Sequence, residues 1–108
     1  MNSSPGLAKL PAPMTAIEAF CRKWRIEQFA LFGSVLRPEF RSDSDVDVLV
    51  AFAPGVRPGL TDWLSMRAEF GELFHRPVDL VERRAIEEDP NYLRRRNILE
   101  STEVIYGT

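Results

Sequence analysis

Aspartate is depleted from β-strands, yet this chain carries one inside each of its two most strand-like runs. The first run is Val46-Asp47-Val48-Leu49-Val50-Ala51-Phe52 and the second is Val78-Asp79-Leu80-Val81. Apart from the acid, both are apolar and rich in β-branched residues, the pattern of strands buried in a sheet. Asp45 stands two positions ahead of Asp47, so alternation along a strand predicts that the two carboxylates share one face. Two acids side by side on an apolar strand repel each other unless something positive sits between them. A hard divalent cation such as Mg²⁺ supplies that charge and prefers carboxylate oxygens. If the two strands are neighbours, Asp79 completes a three-carboxylate site. Two metal ions ~4 Å apart in such a site hold the attacking and leaving oxygens of a phosphoryl displacement.

The remaining elements are expected to frame these strands. Thr15 and Glu18 have capping-box spacing, which predicts a helix from about residue 16, with Ile17, Phe20, Cys21 and Trp24 as its buried stripe. Gln28 to Phe32 reads as a short buried strand ending at Gly33, followed by a helical turn. Pro54, Gly55, Pro58 and Gly59 mark a loop. A helix over roughly 60 to 75 follows, with Leu60, Trp63, Leu64, Phe70, Leu73 and Phe74 as its apolar face. Pro77 ends it, and Val78 to Glu82 reads as a strand. A last helix is expected after Pro90, with Tyr92, Leu93, Ile98 and Leu99 as its apolar set. Val104, Ile105 and Tyr106 are a candidate terminal strand. The order predicts an α/β or α+β fold, a small mixed sheet flanked by helices.

Composition narrows the function classes. A chain of 108 residues is one small domain, and 44% apolar residues are enough to build a core rather than a disordered segment. Residues 1–13, rich in Ser, Pro and Gly, are expected to be a flexible tail, leaving 14–108 as the domain. No run approaches the ~20 apolar residues of a membrane helix, so no membrane association is expected. A single cysteine excludes a disulfide framework and fits a reducing, cytoplasmic setting. The net charge of -2 gives no reason to expect direct nucleic-acid binding. The shortness leaves little room for a domain that recognises a second substrate, so an acceptor is expected to bring its own scaffold.

A second group of residues complements the acids. Gly33-Ser34 lies where a strand gives way to a helical turn; glycine lets a phosphate approach the backbone, and amides at a helix start attract anions. The Ser34 hydroxyl adds a hydrogen bond, and Arg37, one turn later, adds charge near the same phosphates. Gly-Ser, a spacer, then Ser44-Asp45-Val46-Asp47 and an apolar strand resembles the nucleotidyltransferase superfamily related to polymerase β. With the third acid in Val78-Asp79-Leu80-Val81 and the ending Ile98 to Tyr106, residues 15 to 106 resemble the minimal nucleotidyltransferases, the MNT-type antitoxins paired with HEPN-domain toxins. Pro38 departs from the pattern, since family members often carry glycine there.

The resemblance implies a specific chemistry. Asp45, Asp47 and Asp79 are the implied catalytic and Mg²⁺-binding residues, with Asp79 also helping to deprotonate the acceptor. Gly33, Ser34, Arg37 and Ser44 are the implied nucleotide-binding residues. The implied reaction transfers AMP from ATP to a tyrosine hydroxyl of a cognate HEPN ribonuclease toxin, largely by positioning and charge neutralisation. Two alternatives stay open: an antitoxin that silences its toxin by binding alone, and nucleotidyl transfer to a small molecule.

Plainer readings account for other residues. Asp43, Asp45 and Asp47 mimic the first ligands of a calcium loop, but Val48 occupies its glycine position and Pro54 its terminal glutamate position. Asp43 or Ser44 reads as a turn cap. His75 is expected at the surface at a helix end. Cys21 is expected in the core. The run Arg94-Arg95-Arg96 is expected to be a solvated helix face.

Overall fold

The computed structural model describes residues 10–38, 41 and 44–107, and of Ser34 the backbone alone. The expected cap at Asp43, the Ser34 hydroxyl and residues 1–9 of the expected tail lie outside this set. The elements are α1 (Met14–Trp24), β1 (Ile26–Phe32), a 3₁₀ turn (Gly33–Leu36), β2 (Val46–Phe52), α2 (Leu60–Phe74), β3 (Val78–Glu82), α3 (Arg83–Glu87), α4 (Tyr92–Glu100) and β4 (Glu103–Tyr106).

The four strands form one mixed sheet in the order β3-β2-β1-β4. β1 runs antiparallel to both β2 and β4, whereas β2 and β3 are parallel. A parallel pair needs a crossover, and α2 supplies it. Alternation along the strands divides the side chains between two layers. Phe29, Leu31, Val46, Val48, Val50, Val78 and Leu80 pack with Ile17, Phe20, Cys21, Met66, Phe70 and Phe74 of α1 and α2. Ala30 and Leu49 pack with Ile86 of α3, and Phe32, Val81, Ile98 and Leu99 adjoin them. A register shift between Ile26 and Gln28 lets Ile26 join Phe29 and Leu31 in the first layer. Leu10 and Ala12, within the stretch expected to be a tail, are also buried there.

Several expected boundaries move for identifiable reasons. α1 starts at Met14, without a side-chain cap on Thr15. The Pro13 carbonyl instead accepts from Ala16 N–H at 3.1 Å and Ile17 N–H at 3.3 Å. In α2 the buried stripe is Met66, Phe70 and Phe74. Leu60 and Leu64 are 75% and 53% exposed. Leu64 is two residues from Met66, ~200° around the helix, and so faces away from the sheet. In α4 only Ile98 and Leu99 pack inward, while Tyr92 and Leu93 are 57% and 66% exposed. The short α3 has no counterpart in the sequence reading, since five residues are too few to display a periodicity.

The arginine run of α4 is engaged locally. Arg94 lies 3.6 Å from Asp89, Arg95 donates to the Asp89 carbonyl at 3.2 Å, and Arg96 pairs with Glu100 at 3.1 Å. His75 is exposed at the C-terminal cap of α2. The ring of Phe70 meets those of Phe20, Phe29 and Phe74, joining both large helices to the sheet.

Phe70→Ala should therefore destabilise the fold by about 3–5 kcal/mol, read from the chemical denaturation midpoint. Cys21 is fully enclosed, and burial, with Glu18 nearby, pushes its thiol up from 9.0 to about 12. Its unfolded form therefore loses the proton first. Stability should fall as pH rises from about 9 towards 12, by at most about 1.4 kcal/mol per pH unit from this group. Denaturation midpoints of the wild type and Cys21→Ala compared across that range provide the check.

Candidate active site

The site grows out of the β2–β3 pairing. Val46 faces Val78, Asp47 faces Asp79 and Val48 faces Leu80 in the parallel register. Because Val46, Val48, Val78 and Leu80 enter the α1–α2 core, Asp47 and Asp79 project together from the opposite face. Neighbouring strands are ~4.8 Å apart, so two carboxylates at one register position lie within mutual reach. Asp47 is half-buried and Asp79 exposed. The helices α3 and α4 cover this face farther along, at Leu49 and Val81, and leave the acidic end open.

Asp45 stands one residue ahead of β2 and is exposed. The carboxylates are thus an in-register pair with a third acid on the approaching chain. Among the described residues, no three His, Cys, Asp or Glu side chains are gathered as a ready-made set of metal ligands. An open pair of this kind still suits Mg²⁺, which binds through one or two carboxylates and completes its shell with waters and substrate phosphates. Like charges paired across strands are unfavourable, which is the deficit a cation removes.

Gly33 has a role that the sequence reading did not anticipate. The register sets Phe32 opposite Asp47, so Gly33 follows directly beside the carboxylate. It has φ +73°, and a Cβ added there would overlap Oδ2 of Asp47. Glycine here makes room for the acid as well as permitting the backbone turn. The helical turn after it is a four-residue 3₁₀ turn anchored by the buried Val35. Arg37 and Pro38 are exposed just beyond it. Ser44 Oγ accepts from Arg41 N–H at 3.0 Å, so this hydroxyl shapes the approach to Asp45.

Arg76 was missed by the sequence reading. Its Nη1 donates to the Arg41 carbonyl at 2.9 Å, from the far side of α2 in the chain. The available signal was an Arg-Pro pair immediately ahead of an acid-bearing strand. An open cleft of about 680 Å³ lies elsewhere, at the other end of β2, lined by Phe52, Arg57, Trp63, Arg83 and Glu87. It contains none of the three aspartates.

A family model for the nucleotidyltransferase domain matches residues 13–105. The chain belongs to the nucleotidyltransferase domain family. A curated relative from Methanocaldococcus jannaschii, provisionally named a protein adenylyltransferase, is 30% identical over 64 residues. That match covers 59% of this chain and 64% of the relative's length. A solved structure, provisionally named a minimal nucleotidyltransferase, is 31% identical with a TM-score of 0.63, covering 83% of this chain and 86% of that one. A chain of the complex between a tri-AMPylated Shewanella oneidensis HEPN toxin and its MNT antitoxin shares the fold. It is 18% identical with a TM-score of 0.59, over 88% of this chain and 70% of that one. Among the described residues no helix is long and apolar enough to cross a membrane.

The closeness of Gly33 to Asp47 makes a measurable prediction. Gly33→Ala should cost roughly 1–2 kcal/mol from its left-handed backbone alone, plus the cost of displacing Asp47. In an Asp47→Ala background the second cost should vanish, so denaturation of the four variants in a double-mutant cycle should show coupling between the two positions.

Proposed function

We propose that this domain is a Mg²⁺-dependent protein adenylyltransferase that moves AMP from ATP onto a tyrosine hydroxyl of a HEPN-type ribonuclease toxin. The observation that carries the reading is the in-register pair Asp47 and Asp79, with Asp45 just ahead and Gly33 leaving space beside them. The AMPylated toxin in the Shewanella oneidensis complex and the adenylyltransferase name of the archaeal relative support the acceptor class and the transferred group.

In this reading Asp45, Asp47 and Asp79 hold the metal, which when bound neutralises phosphate charge and steadies the attacking and leaving oxygens. Gly33, Ser34, Arg37 and Ser44 hold the nucleotide phosphates. Asp79, exposed on an edge strand, faces the incoming acceptor and takes the proton from its hydroxyl. The hydroxyl oxygen then bonds to the α-phosphorus, the bond to the β-phosphate oxygen breaks, and pyrophosphate leaves. The working unit reaches back beyond residue 14 to Leu10, which packs into the core with Ala12, and the setting is the cytoplasm.

Silencing by binding alone is a second reading, favoured by the exposed Tyr92 and Leu93. One experiment separates the two. The wild type, ATP labelled at the α-phosphate, Mg²⁺ and a cognate HEPN-type toxin, sought in the neighbouring reading frame, should yield label on a toxin tyrosine. Combining Asp45→Asn with Asp47→Asn should reduce transfer by about a hundredfold or more while the complex persists. Transfer unchanged in that variant, or no transfer by the wild type, overturns the enzymatic reading. Loss of toxin control with the complex intact removes the binding-only one.

A further inference from the structure

The stretch that delivers Asp79 also holds the chain on both sides of Asp45. Arg76 Nη1 donates to the Arg41 carbonyl at 2.9 Å and makes a longer contact, 3.5 Å, with the Ser44 carbonyl. One residue later, the Pro77 carbonyl accepts from Val46 N–H at 3.0 Å. The carbonyl before Asp45 and the amide after it are thus both tied to Arg76-Pro77. Ser44 N–H in turn bonds the Arg41 carbonyl at 3.1 Å, so the Arg76 guanidinium and the Ser44 amide share one acceptor.

Arg76 is aimed there by the way α2 ends. His75 takes the left-handed conformation, φ 56°, and Arg76 N–H bonds back to the Gly71 carbonyl at 3.2 Å, a Schellman-type stop. Pro77 then disfavours a helical Arg76 and sends the chain into β3, with Asp79 two residues on. A half-buried guanidinium has a rigid fork of donors and can serve two carbonyls, which the single ammonium of lysine does less well.

We propose that Arg76 is a positioning residue that fixes the chain at Asp45, just ahead of the Asp47–Asp79 pair, so that one turn, His75 to Asp79, both delivers Asp79 and holds the backbone that carries Asp45. The consequence for metal and nucleotide rests on the adenylyltransferase reading above; the consequence for the loop does not.

The test uses the full chain as wild type, Arg76→Ala and Arg76→Lys. Amide hydrogen exchange should show Ser44 protection falling about tenfold in Arg76→Ala, with Val48 and Val50 of β2 unchanged. Binding of Mn²⁺ with ATP, followed by the electron paramagnetic resonance of Mn²⁺, should weaken about tenfold in Arg76→Ala and recover in part in Arg76→Lys. Unchanged Ser44 protection overturns the proposal, as does equal Mn²⁺–ATP affinity in all three proteins. A loss of protection spread evenly over β2 also overturns it, because that marks a general loss of stability. If the wild type itself fails to hold Mn²⁺ with ATP, the functional reading falls, while the exchange comparison still decides for or against Arg76.

Discussion

The parallel pairing of β2 with β3 is the constraint on which the rest of this molecule depends. It demands a crossover helix, and α2 fills that role while covering one face of the sheet. Val46, Val48, Val50, Val78 and Leu80 reach into the core beneath that helix. A one-residue slip would turn a strand's apolar set towards solvent and drive its aspartate into the phenylalanine cluster. The register is therefore enforced by hydrophobic burial, and the juxtaposition of Asp47 with Asp79 follows from it. Carboxylates that repel each other are held together by valines on the other side of the same strands.

Much of this was legible in the sequence because the decisive signals are short-range. The runs around Asp47 and Asp79 are apolar enough to announce strands, and period-two alternation places the acids on the face away from the valines. β2 and β3 cover the expected ranges, and α2 and the last helix match closely. The misses have physical causes. Pro13 starts α1 through its carbonyl, which a search for capping side chains overlooks. Leu60 and Leu64 resemble core residues but lie off the buried arc of α2. Within the site, the Gly33–Asp47 fit and the partners of Arg76 depend on contacts between residues distant in the chain; the Arg-Pro pair ahead of β3 marks Arg76 but not what it holds.

Gly33 illustrates how one residue type can answer two demands. A phosphate cradle and a tight turn both call for glycine, and those were the reasons visible in the sequence. The register adds a third, since the neighbouring strand directs a carboxylate into the space that any side chain would fill. The end of β1 is thus shaped by the acid on β2, and the two strands share responsibility for the site.

The position of β3 at the margin of the sheet carries one more consequence. An exposed strand edge offers unpaired amides and carbonyls to any passing chain, and folded proteins discourage such pairing with short strands and charged residues. β3 has five residues, with an exposed aspartate near its middle and Glu82 at its end. A second strand laid along this margin would bring its side chains beside that charge. The carboxylate at Asp79 therefore also works against aggregation, and replacing it with an apolar residue would expose a sticky border.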